Sequence, residues 1–136
     1  MRISFLLFGT VLWLLGWMFD VGTTARGIHR ARSVAGELNP IARRLIARLG
    51  LAGGFAFLAV LEGALVAAHW ALAFAAPQGF WAVVTFASCA ASLAFAGVAH
   101  ALAGWGNRTG RIAAPLIPIA QAYRWLDRRW APRKSL

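Results

Sequence analysis

The residues with chemical capacity in this chain are few and far apart. Asp20, Glu62, His69 and His100 each interrupt an apolar run, and Glu37 and Asn39 stand in a charged stretch between two such runs. An ionisable side chain inside a segment of membrane-crossing length is costly, which makes each a functional candidate. Asp20 shares a helical face with Gly16 and Thr24 at four-residue spacing, and Gly9 and Trp13 continue that face. The glycines allow another helix to approach, and the threonine hydroxyl can reach the carboxylate. The plainer alternative is a packing contact, or a carboxylate that snorkels to a loop arginine.

Glu62 and His69 are seven residues apart, on nearly one helical face and roughly 10 Å apart at 1.5 Å per residue. That is too far for both to ligate one metal ion. Together they suit a proton path or a cofactor pocket, and singly a hydrogen bond to a partner subunit. His100 shares a face with Cys89, Ser92 and Ala96, a seam of small residues suited to docking a helix of another chain. His69 or His100 could also ligate a tetrapyrrole, haem or bacteriochlorophyll, through a ring nitrogen; the alternative for His100 is a neutral imidazole packed against a helix or facing headgroups. Asp20, Thr24, Glu37 and Asn39 form a possible polar or ion site. With His29, Asp20 and Glu37 could converge on a divalent cation or a lipid phosphate; carboxylate and amide oxygens suit a hard cation, although the spacing matches no metal motif and no metal is assigned. The structural alternative is that Glu37 and Asn39 cap the helix that follows.

The elements that must position these residues follow from composition. Of 136 residues, 60% are hydrophobic and 13% charged, with 14 Lys and Arg against 4 acidic residues and a net charge of +10. A hydrocarbon core of roughly 30 Å takes about 20 helical residues to cross. Three runs have that length, at 3–25, 51–76 and 80–104, with Pro77-Gln78-Gly79 as a tight uncharged turn between the last two. The first is read as an uncleaved helix, because no small-x-small cleavage pattern follows it. The fold expected is all-α, a single membrane domain over 1–136 with three transmembrane helices. Asn39 and Pro40 carry the signals of a helix start, so a short interfacial helix is expected within loop 26–50. Ile119, Tyr123, Leu126 and Trp130 share one face of a C-terminal amphipathic helix in the tail 111–136.

Thirteen of the fourteen Lys and Arg residues fall in that loop or after the third run, Arg108 just ahead of the tail, on one side of three spans. This places the loop and tail in the cytoplasm and the N-terminus outside, in a cell (inner) membrane. The same confinement assigns the charge to membrane orientation and not to nucleic acid. Arg43, Arg44, Arg48, Arg124, Arg128 and Arg129 are the expected contacts to anionic headgroups. Cys89 is alone and makes no internal disulfide.

Two resemblances bear on function. Ala96, His100 and Trp105 resemble the chlorophyll-binding segment of bacterial light-harvesting polypeptides, with a different tryptophan spacing. Asp20, Thr24, Glu37-Leu38-Asn39-Pro40 and the apolar helix that follows resemble an uncharacterised family of small multi-helix bacterial and archaeal membrane proteins, over about Leu12 to Ala68. That resemblance implies the topology and singles out Asp20, Glu37 and Asn39, and it brings no activity.

Phosphate-loop, zinc-helix and nucleophile-elbow motifs are missing from the sequence, which points away from an enzyme. The expectation is a non-enzymatic accessory or scaffold subunit that docks with itself or with other membrane subunits. The alternatives are a homo-oligomeric ion, proton or solute transporter using Glu62, His69 and Asp20, and a pigment or haem subunit using His69 or His100.

Overall fold

The computed structural model describes residues 2–35 and 37–130. Residues 131–136, which carry Arg133 and Lys134 of the expected tail, lie outside the described residues, as does Gly36. Helices α1 (Arg2–Ala31), α2 (Pro40–Ala75) and α3 (Phe80–Thr109) are long and apolar enough to cross a membrane. A 3₁₀ turn at Ala114–Leu116 leads into α4 (Ile117–Trp130). Among the described residues there is no strand.

Two boundaries differ from expectation. α1 runs six residues past the expected end at 25, and α3 five past 104. Solvated arginines do not stop a helix; a backbone that leaves the α region does. Arg32, at φ 49°, ends α1, and Gly110, at φ 71°, ends α3 with its N–H on the Gly106 carbonyl. Left-handed backbone at this position is the usual helix terminator. The expected loop 26–50 is therefore largely helical.

α2 begins as its sequence dictates. Asn39 Oδ1 accepts from the N–H groups of Ile41 (3.0 Å) and Ala42 (3.3 Å), and Pro40 occupies the first turn. At Gly50 the backbone leaves the helix (φ 74°, ψ 172°), so α2 consists of two helical segments meeting at a bend. Gly54 has no Cβ where the returning chain needs space: a Cβ there would stand 2.8 Å from Ile46 Cα.

The packing is organised by α1 and α3. A Cβ on Gly9 or Gly16 would overlap the carbonyl oxygens of Ala90 or Gly97, one on Gly97 would overlap the Leu12 carbonyl, and one on Gly104 would strike the Phe19 ring. The partner numbers rise together, so α1 and α3 are parallel, with backbones in contact at seven-residue intervals. Only small residues permit this approach. α2 runs antiparallel to both, as Trp70 on Thr10 and Glu62 near Trp13 show.

Toward the Pro77 turn, Leu6, Ala73, Phe86, Cys89, Ala90 and Leu93 form a buried apolar cluster, closed by the edge-on rings of Phe74 and Phe86. Elsewhere large apolar side chains face outward, Val60 at 74% and Phe95 at 73% exposure, which suits a surface solvated by lipid tails. The seam expected to dock another chain has a different fate. Cys89 is buried in the chain's own cluster, Ser92 is held by His69, and Ala96 is half-buried. The small residues that meet a helix are Ala90, Gly97 and Gly104, and the helix is α1.

Replacing Gly97 with Leu is expected to force α1 and α3 apart and to destabilise the protein by more than the about 1–3 kcal/mol typical of core overpacking, because the clash is with backbone. Thermal unfolding in detergent measures this, and a variant as stable as the wild type would refute the close approach.

A candidate carboxylate–imidazole–carboxylate site

Below the apolar cluster, the three long helices bring their polar side chains to one place. α1 supplies Trp13, Asp20 and Thr24, α2 supplies Glu62, and α3 supplies His100 and Asn107. α1 and α3 present their residues at four- or seven-residue spacing, and the Gly16–Gly97 and Asp20–Gly104 approaches set the register that makes them meet.

His100 is the centre. Its Nδ1 lies 2.9 Å from Asp20 Oδ2 and its Nε2 lies 3.1 Å from Glu62 Oε2. The three side chains are about a fifth to a quarter exposed. The Trp13 indole N–H donates to the same Glu62 oxygen at 3.2 Å. Asn107 Nδ2 donates to Asp20 Oδ1 (3.0 Å) and to Thr24 Oγ1 (2.7 Å). The threonine thus reaches the carboxylate through an amide and not directly. Among the described residues no buried side-chain nitrogen or oxygen lacks a partner.

This geometry fixes a proton count. With both contacts made, a hydrogen lies between the ring and each carboxylate and the unit holds two protons; opening either contact lets it gain or lose one. Either an imidazolium donates to two carboxylates, or a neutral imidazole stands between a carboxylate and a carboxylic acid. These forms interconvert by moving a proton along a hydrogen bond. A proton arriving at one ring nitrogen can release another from the opposite nitrogen, with Asp20 nearer the tail and Glu62 nearer the middle of the bundle.

The other expected pair is divided. His69 faces Ser92 Oγ (3.1 Å) through Nε2 and the Leu65 carbonyl (2.7 Å) through Nδ1, while Glu62 turns to His100. Seven residues rise roughly 10 Å along the helix, so two side chains on nearly one face meet different residues of α3. Both nitrogens of His69 and of His100 have partners, so axial ligation of a tetrapyrrole requires breaking one of these contacts.

At the tail end, Glu37 closes its own loop by accepting from the Asn39 N–H at 2.8 Å. No group of three His, Cys, Asp or Glu residues among the described residues is arranged to hold a metal ion, and Glu37 and Asp20 act on each other by repulsion. Burial, the largest cause, holds the Glu37 carboxyl above its ordinary 4.5, and the Asp20 charge adds to the rise; the Asn39 bond and Arg43 offset part of it. The Tyr123 phenol of α4 is raised from its ordinary 10 by burial and then by the charges of Glu37, Asp20 and Glu62, which places α4 in the field of the site.

α4 is tied to the first segment of α2. Arg43 pairs with Asp127 and donates to the Glu37 carbonyl at 3.4 Å. Arg44 donates to the Trp130 carbonyl at 2.7 Å, its guanidinium 4.7 Å above that ring, and Arg129 stacks on Trp125 at 4.5 Å. Three of the six arginines expected to meet headgroups are therefore engaged by the protein itself.

Trp13, Asn107 and Asp127 were not among the expected site residues. Asn107 follows His100 by seven residues and Asp127 is the sole acid of the tail, so both carried a signal. The site belongs to a class of small all-helical proteins with three helices able to span a membrane. No family model, curated protein or solved structure matches the chain.

Replacing Asn107 with Ala is expected to cost about 0.6–1.7 kcal/mol, between the average and the maximum for interhelical hydrogen bonds in a membrane protein, read by thermal unfolding. Glu37→Gln keeps the acceptor for Asn39 and removes the charge. A carboxyl raised in the folded state contributes its stability fully below 4.5 and loses it as pH rises through the folded value. The variant should therefore exceed the wild type in stability at neutral pH and equal it below pH 4.5.

Proposed function

We propose that the protein is a membrane subunit whose Asp20–His100–Glu62 unit takes up and releases a proton from the tail side. The observation that carries this reading is the placement of a carboxylate oxygen on each ring nitrogen of His100, at 2.9 and 3.1 Å, within apolar helices. Asn107 and Thr24 extend the polar chain toward the tail. In the other direction the fully buried Leu6, with Phe86 and Leu93, closes the way. A single copy therefore offers a proton site open to one side, and not a channel.

The chain works with itself or with other membrane subunits. The arginine-rich side is cytoplasmic, so the proton is exchanged with the cytoplasm of a cell that keeps its N-terminus outside. The first segment of α2 and the helix α4 lie at that interface, with Trp125 and Trp130 at headgroup level.

Infrared difference spectra of the protein in liposomes, recorded across a pH titration, test this. A carboxyl C=O band that titrates in the wild type and is lost or moved in both Glu62→Gln and Asp20→Asn is expected. The reading fails if no titrating band belongs to either residue. The mass of the gently extracted particle should exceed that of one chain.

A further inference from the structure

Beside the bend of α2, the end of α1 and the loop after it enclose an open cavity of about 850 Å³. His29, Arg30 and Arg32 stand on its wall, and Ile28, Val34 and Leu51 give it an apolar side. Arg30 and Arg32 are exposed and hydrogen-bond to no described residue. No acidic residue lines the cavity, and all four acids of the chain are used elsewhere: Asp20 and Glu62 on His100, Glu37 on the Asn39 N–H, Asp127 on Arg43. The cavity therefore has positive charge without a counter-ion among the described residues.

Its position adds a second constraint. Leu51 opens the apolar run of α2, whereas Arg30 and Arg32 follow the apolar run of α1, so the cavity straddles the boundary between the apolar and charged parts of the molecule. An occupant must be anionic at one end and apolar at the other. A free anion leaves the apolar side uncovered, and a nucleic acid or an acidic soluble protein does not reach below the boundary.

We infer that this cavity is the seat of an anionic phospholipid, with its phosphate on Arg30, Arg32 and His29 and the start of its acyl chains against Ile28, Val34 and Leu51. This moves the principal lipid contact from Arg43 and Arg44, which α4 occupies, to the end of α1.

The full-length protein in mild detergent is titrated with phosphatidylglycerol, phosphatidylcholine or inorganic phosphate, and the unfolding temperature is followed. Phosphatidylglycerol should stabilise the wild type at far lower concentration than phosphatidylcholine, and inorganic phosphate should have little effect. Removing two charges, in the double variant R30Q/R32Q, should weaken the phosphatidylglycerol response roughly thirtyfold, at about one kcal/mol for each basic residue near a charged surface. The control R108Q/R111Q, on exposed positions at and just beyond the end of α3, should leave it within about twofold, as expected for charges outside the contact. L51S should weaken the lipid response alone. A photoactivatable phosphatidylglycerol should label the peptide around 28–34 in the wild type, a readout independent of the variants' stability. Equal loss in both double variants, equal stabilisation by phosphatidylcholine, saturation by inorganic phosphate at the lipid's concentration, or labelling elsewhere would each overturn the assignment.

Discussion

Everything polar in this protein depends on how closely α1 approaches α3. At Gly16 and Gly97 the two backbones touch, and neither position has room for a methyl group. In a membrane there is no hydrophobic force to hold helices together, so association relies on close packing and on polar contacts between helices. The glycines supply the first, and their register delivers the second, because it sets Asp20 opposite His100 and Asn107. α2 then needs only a few contacts, among them the polar ones of Glu62 with His100 and Trp13, Trp70 with Thr10, and His69 with Ser92.

The price of carrying ionisable groups among apolar helices is limited here by sharing. Each carboxylate of the central unit meets His100 and one further donor, Asn107 for Asp20 and Trp13 for Glu62. Removing His100 would leave both carboxylates without their shared partner, which is far more costly than the pair is worth, whereas losing Asn107 or Trp13 leaves each with its ring contact. The network therefore fixes the relative positions of three helices while leaving protons free to move within it. Stiffness in heavy atoms and mobility in hydrogens are compatible because the proton count is set by contacts, not by the identity of the residue that carries each proton.

Much of the architecture was legible because it is local. Hydropathy located three runs of sufficient length, and Asn39 and Pro40 marked the start of α2 by chemistry confined to four residues. Helix ends were read less well, since charge content suggested loop where the backbone continues until Arg32 and Gly110 turn it. On α1, the face of Gly16, Asp20 and Thr24 was visible, but its partner lies 80 residues away and depends on a register that periodicity does not encode. Glu62 and His69 looked paired because an ideal helix nearly superposes them; contact with α3 sends them to different residues. Asn107 escaped notice because its seven-residue spacing from His100 gains meaning only once a carboxylate is known to face both.

The parallel arrangement of α1 and α3 has an electrical consequence. Peptide dipoles of neighbouring helices usually oppose and cancel; here those of the two most closely packed helices add. Each carries roughly half a negative charge at its C-terminal end, and both ends lie on the side where α1 finishes at Ala31 and α3 at Thr109. α2 begins there, but its bend at Gly50 turns the first segment away from the common axis, so its positive end offsets this only in part. The backbone alone thus draws cations to that side, and the arginines that crowd it answer a field already present in the fold.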